Sequence, residues 1–223
     1  MRSSLALILI PIPLSHITLA VKVIVKGELS RRRLSPMVQT PVQAITLDSF
    51  LAQPETKPAS EYIEGHIIQK PMPQCKHSFI QSGLAATLDM ALRKPKIARA
   101  ATELRCTFGN KSIVPDIVVI TWDKIPRDET GSVTNGIFFP PPWMIEILSP
   151  KQSQNLLTGK ILHCLDSGTE LGWIIDPDSL TVLSYQSGQQ PQFFENPTDT
   201  LPVPEFAQDL NITIEDLQDF MMD

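Results

Sequence analysis

Two carboxylates and a lysine stand out because of where they fall. Glu146 lies in "WMIEILS" between Ile145 and Ile147, and Asp116 follows Pro115 in "VPDIVVI". Each occupies an apolar stretch that reads as a strand. An unpaired carboxylate in such a dry setting is costly, so each needs a partner or a metal. Residues 117 to 145, 29 in all, separate them, and Lys160 comes fourteen residues after Glu146. If the two strands are neighbours, the carboxylates face the same end of a sheet. Paired carboxylates beside a lysine can form a hard-cation site. Their oxygens hold Mg²⁺ or Mn²⁺, and the ammonium orients an attacking water. Metal-assisted phosphodiester hydrolysis has that requirement, since both the water and the leaving-group charge must be handled. A plainer reading stands beside it: Asp116 accepting backbone hydrogen bonds after Pro115, and Glu146 in an ion pair with Lys160. That reading leaves the geometry intact and removes only the metal.

Further residues belong to the same inventory. Glu64 is either a surface carboxylate of a hairpin or a further metal ligand. His77 is either a polar residue at a helix start or part of a cleft. The stretch "RKPKIAR" carries Arg93, Lys94, Lys96 and Arg99. It reads as a solvated loop, or as contacts to a DNA backbone. Asp176 before Pro177 reads as a turn cap.

The elements that must hold these residues follow from spacing. "ITLDSFLAQ" (45–53) predicts a short helix capped by Thr46 or Asp48. "EYIEGHIIQKP" (61–71) predicts a hairpin turning at Glu64-Gly65. Apolar Phe79, Ile80, Leu84, Leu88 and Leu92 recur at helical spacing over 76–94, and Pro95 ends the run. Residues 96–108 favour strand, 112–122 a strand interrupted by Pro115, and 143–149 a strand. A helix is expected over 153–168, ending at Gly168. Strands follow over 170–177 and 180–188, with a short one in 190–206. A last helix over 213–221 carries a Thr213–Asp216 capping box. A helix from about Ser153 places Lys160 roughly two turns in, back over the strand end. The order predicts an α/β domain with a mixed central β-sheet flanked by helices.

Composition agrees with one such domain: 223 residues, 42% hydrophobic and 19% charged. A net charge of -5 and a pI near 5.4 speak against a general polyanion binder, though not against a local basic cleft. Cys75, Cys106 and Cys164 are an odd number without a CxxC pair, which fits buried thiols in a reduced cytoplasm. No glycine-rich phosphate loop is present. The apolar residues 1–36 are read as an N-terminal extension outside the domain of residues 37–223. A mis-assigned start ahead of Met37 would account for them, as would a signal or anchor segment or a structural strand. Pro11 and Pro13 interrupt the apolar run, so no membrane association is expected.

Pro115-Asp116 followed by Glu146-Ile147-Leu148 resembles the PD-(D/E)xK nuclease superfamily, with Leu148 where that motif has lysine. Lys160 on the following helix then resembles a migrated lysine. "YIEGHII", His77, "VPDIVVI", "IEILSP", Lys160, Gly168 and "WIIDP" occur in the order of the Uma-type family of restriction-endonuclease-like proteins. The resemblance spans roughly residues 40–220. It implies a restriction-endonuclease-like fold, an Mg²⁺- or Mn²⁺-dependent endonuclease acting on DNA, a homodimer, and Asp116, Glu146 and Lys160 as the catalytic set. The chain departs from the family at "QNLLTGK", which lacks an acidic residue before the lysine. It departs again at Cys164, where an aromatic is usual, and at "LGW" (171–173), where "EYW" is usual. A nucleic-acid-binding or interaction protein with weakened catalysis on the same fold is the alternative.

Overall fold

Pro115 divides what reads as one strand, and the two halves enter different sheets. Proline lacks an N–H and holds the residue before it extended, so a ladder cannot run through it. The computed structural model of the protein describes residues 45–222, so the expectation for residues 1–36 lies outside the described residues. Before Pro115, β5 (Lys111–Ile113) belongs to a four-stranded antiparallel sheet. Its other strands are β1 (Ser60–Ile63), β2 (His66–Gln69) and β4 (Cys106–Phe108), in the order β2-β1-β5-β4. After Pro115, β6 (Ile117–Thr121) enters a six-stranded sheet. Its other members are β3 (Ala98–Thr102), β7 (Trp143–Ile147), β8 (Leu171–Asp176), β9 (Thr181–Gln186) and β10 (Gln192–Phe194). The order is β10-β9-β8-β7-β6-β3, and β7 and β8 run parallel while the other pairs are antiparallel. The expected mixed central sheet is therefore present, but the smaller sheet beside it corrects the expectation of a single one.

Alternation along the strands sorts the core onto two faces. Ile117, Val119, Trp143, Ile145, Trp173 and Ile175 pack against α2 (Cys75–Arg93) and α4 (Ile214–Asp219). Val118, Ile120, Met144 and Ile174 face α3 (Gln154–Asp166) and the smaller sheet. Trp143 and Trp173 meet edge to face at 4.8 Å. The buried stripe of α2 is His77, Ile80, Leu84, Leu88 and Leu92. Phe79, expected on that stripe, is 54% exposed, and His77 is buried instead. The Glu64-Gly65 turn, the Thr46 cap of α1 (Leu47–Leu51) and the Thr213–Asp216 capping box are as expected. Asp176 Oδ1 accepts from the Asp178 N–H at 2.9 Å, as a turn cap should. The described residues fall in one compact unit, and no helix among them is long and apolar enough to cross a membrane.

α3 bridges the parallel strands β7 and β8, and one glycine sets how closely it lies on the sheet. A Cβ on Gly172 would sit 2.6 Å from Ile161 Cγ2. Gly172→Ala should therefore push α3 off β8 and destabilise the protein by about 1–3 kcal/mol, as overpacking does. The check is urea denaturation; a midpoint equal to wild type would show that the helix does not depend on this close approach.

Candidate active site

Strand register brings the two sequence carboxylates together. β6 and β7 are antiparallel with Ile117 opposite Ile145, so one further step sets Asp116 opposite Glu146. Glu146 shares the parity of Met144 and points toward α3, while Asp116, just ahead of β6, reaches Lys70 and, on α2, His77. Asp116 is 2% exposed, and its oxygens are fully engaged. Oδ2 accepts the Ile147 N–H at 2.7 Å and lies 3.2 Å from His77 Nε2, while Oδ1 accepts from Lys70 Nζ at 2.6 Å. The Gln81 amide donates to the Asp116 carbonyl at 2.9 Å. Burial opposes ionisation of Asp116. The adjacent His77 ring and the Lys70 charge override it and hold the carboxyl well below the usual range.

The partner of Glu146 is Lys160. Leu157, Lys160, Ile161 and Cys164 form the buried stripe of α3, so helical periodicity drives a lysine inward. Lys160 Nζ lies 2.8 Å from Glu146 Oε1, and it donates to Glu61 Oε1 and Oε2 at 3.0 and 3.2 Å. Glu61 Oε1 also accepts the Val114 N–H at 2.8 Å. The Lys160–Glu146 contact has ion-pair distance without hydrogen-bond alignment, and Glu146 Oε1 is left without a hydrogen-bond partner. Burial would lower the Lys160 pKa, but the carboxylates of Glu146 and Glu61 override it and raise it. For Glu146, burial dominates and the Asp116 charge adds to it, against the Lys160 charge. Its carboxyl is pushed up to about 7.

The buried cluster thus holds the carboxylates of Glu61, Asp116 and Glu146 against the ammoniums of Lys70 and Lys160. With all five ionised it carries one excess negative charge. A proton on Glu146 neutralises that charge, and a divalent cation would more than offset it. Among the described residues no group of three or more His, Cys, Asp or Glu side chains could hold a metal ion. Mg²⁺ asks for less from a protein: one or two carboxylates, with water and phosphate oxygens completing its shell. The opposed Asp116 and Glu146 fit that demand. Asp116 is also the member of the pair that lines a cleft of ≈ 540 Å³, together with Lys70, His77, Gln81, Glu103 and Gln152.

The structure brings Asp116, Glu146, Lys160 and His77 together at this point, while Glu64 and the basic stretch lie elsewhere. Glu64 stands in the hairpin turn at φ 51°, 76% exposed in its side chain, and pairs with Lys111 at 3.3 Å. The acid that enters the cluster from this hairpin is Glu61, three residues earlier. Alternation explains the difference: Glu61 lies within β1 and points inward, while Glu64 is past its end. The basic stretch is also displaced. His77 is near the start of α2 and Arg93 is its last residue, about 24 Å away by the helical rise. Lys94 and Lys96 lie beyond that end, and Arg99 pairs with Asp89 at 2.6 Å. Lys70 was missed. It follows β2 and donates its backbone N–H to the Ala59 carbonyl, and only that hairpin pairing aims it at Asp116.

Comparison with known proteins gives the same family that the residues resemble. The Uma2 family model, described as "Putative restriction endonuclease", matches residues 47–215. A crystal structure from Anabaena variabilis ATCC 29413, described as "a putative nuclease belonging to DUF820", is 53% identical. The match covers 80% of this chain and 99% of that one, with a TM-score of 0.78. A DrdV–DNA complex matches at 14% identity and a TM-score of 0.27, over 54% of this chain and 82% of that one. No curated protein matches. The expected restriction-endonuclease-like α/β fold is the fold of this chain.

The two hairpin acids separate cleanly in stability. Glu61→Ala strands the Val114 N–H and leaves Lys160 with Glu146 alone, and should cost about 1–3 kcal/mol. Glu64→Ala loses an exposed pair and should stay within about 0.5 kcal/mol of wild type. Denaturant titration of both variants checks this, and equal costs would contradict the placement of Glu61.

Proposed function

Since the chain belongs to the Uma2 family, we propose that it is a nuclease that hydrolyses DNA phosphodiester bonds, with Mg²⁺ or Mn²⁺ held by Asp116 and Glu146. The observation that carries the proposal is the buried carboxylate pair, opposed across neighbouring strands, short of one positive charge and open to the cleft through Asp116. A divalent cation bound there supplies an activated water and charge for the leaving oxygen. The chain's own residues prepare the place. The Ile147 N–H and His77 fix Asp116 Oδ2, so this carboxylate presents Oδ1 toward the cleft. Lys160, held between Glu61 and Glu146, keeps Glu146 in place against its burial. On this reading Lys160, whose ammonium is turned to the carboxylates, serves as the migrated lysine that the resemblance implies.

Plasmid DNA with Mg²⁺ or Mn²⁺ tests the reading. The wild type should cut it, and Asp116→Asn should lower the rate about 100-fold or more, as loss of a metal ligand or an electrostatic stabiliser does. An intact plasmid with every cation, alongside retained DNA binding, would favour the binding-protein alternative.

Glu146 adds a pH dependence. Its carboxyl is pushed up to about 7, and cation binding needs the ionised form. Cation affinity should therefore rise as pH climbs through about 7, and should fall by about tenfold per unit below it. Without cation the sign for stability is opposite. Between the ordinary carboxylate range and about 7, the folded protein keeps a proton that the unfolded chain releases, so this group's contribution is lost as pH rises through that window. Calorimetric Mn²⁺ titrations at about pH 6 and about pH 8 check the first effect. Equal affinities would remove Glu146 from the cation's ligands.

A further inference from the structure

Two lysines serve the carboxylate cluster, and only one of them faces the cleft. Lys160 is 3% exposed, its ammonium held by Glu61 and Glu146, and it takes no part in the cleft wall. Lys70 does line that wall, beside Asp116. Its Nζ donates to Asp116 Oδ1 at 2.6 Å, to the Val114 carbonyl at 2.9 Å and to Glu103 Oε1 at 3.0 Å. Glu103 is 44% exposed, so this third contact opens to solvent. Lys70 also leads directly into Pro71, Met72 and Pro73, which form the rim of the same cleft. A four-carbon stem anchored at that rim can swing its ammonium outward, whereas Lys160 has no such route.

The other oxygen of Asp116 is already committed. Oδ2 takes the Ile147 N–H and touches His77, a residue of the cleft wall, so both of its positions are filled. A cation arriving through the cleft must therefore take Oδ1, the oxygen that Lys70 holds. Two positive charges on one buried oxygen repel strongly in so dry a place. We propose that Lys70 and a divalent cation exclude one another at Asp116 Oδ1, and that the displaced Lys70 ammonium binds the phosphodiester anion in the cleft. The inference rests on the nuclease reading and gives its site an order. Lys70 is the stand-in cation of the resting protein. Once the divalent cation is seated, Lys70 becomes a phosphate contact, so cation and nucleic acid each favour binding of the other.

Lysine footprinting of the full-length wild-type protein tests this without relying on any variant to fold. With acetic anhydride and peptide mass analysis, Lys70 should be protected in the absence of divalent cation. Adding Mg²⁺ should make Lys70 several-fold more reactive and leave Lys160 protected. No rise at Lys70 would overturn the proposal. Lys70→Met gives the second arm. In Mn²⁺ titration calorimetry it should bind the ion about tenfold more tightly than wild type, because the competing charge is gone. In fluorescence anisotropy with Ca²⁺ present, it should bind a labelled DNA duplex about tenfold more weakly, and Lys70→Arg should restore that binding. Cation affinity unchanged or weakened in Lys70→Met would also overturn the proposal. The nuclease reading fails separately. A wild type that cuts DNA without any Mg²⁺ response at Lys70 keeps that reading and sinks this one. A Lys70 response without cleavage supports the exclusion and removes the nuclease.

Discussion

Burying Glu146 in the middle of β7 is the constraint that the rest of the structure answers. The carboxylate cannot reach water, so a cation must reach it, and Lys160 is delivered by α3. That delivery requires α3 to lie close on β8, which Gly172 permits. The same ammonium is shared with Glu61, and Glu61 belongs to the smaller sheet. One lysine therefore pins helix, central sheet and smaller sheet at a single point. Such pins are poor stabilisers, because well-packed apolar residues of equal volume often do as well or better. A cluster that leaves Glu146 Oε1 without a hydrogen bond and one negative charge in excess makes sense as a place for chemistry.

How much of this could be read from the sequence depended on whether a residue's setting was local. Asp116 and Glu146 announced themselves as carboxylates inside apolar strands, and Lys160 by its place in the motif order that resembles the family. Those are one-dimensional signals. Glu61 offered the same signal, an acid ahead of Tyr62-Ile63, but Glu64 beside the turn glycine drew the eye to the wrong carboxylate. Lys70 offered none. Its place depends on the hairpin pairing and on the crossing of Val114 and Pro115 between sheets, which no local pattern encodes. The basic run of Arg93, Lys94, Lys96 and Arg99 lies at the far end of α2 from the cluster for a related reason. Charge density in sequence says nothing about which end of a long helix faces the site.

The departures from the family pattern turn out to be matters of packing around an intact constellation. Leu148, where a lysine would stand in the superfamily motif, packs against the apolar cluster on the α3 face. Cys164 is fully buried in the same cluster. Gly172, within the altered "LGW", lets Ile161 press onto the sheet. Small residues at the latter two positions let α3 lie close on the strands, beside the charged set.

The Glu61–Lys160 bond also fixes when this protein can become active. Its partners stand 99 residues apart along the chain. Local segments of a growing polypeptide can pair early, but closing so long a loop is slow and comes with the completion of tertiary structure. A ribosome that has finished the first hairpin and both strands bearing Asp116 and Glu146 has made Lys70 for Asp116 and nothing yet for Glu146. The lysine that gathers them arrives later, and the helix carrying it needs β8 behind it. The charged cluster is in this sense a product of late folding, incomplete until α3 has packed on β8.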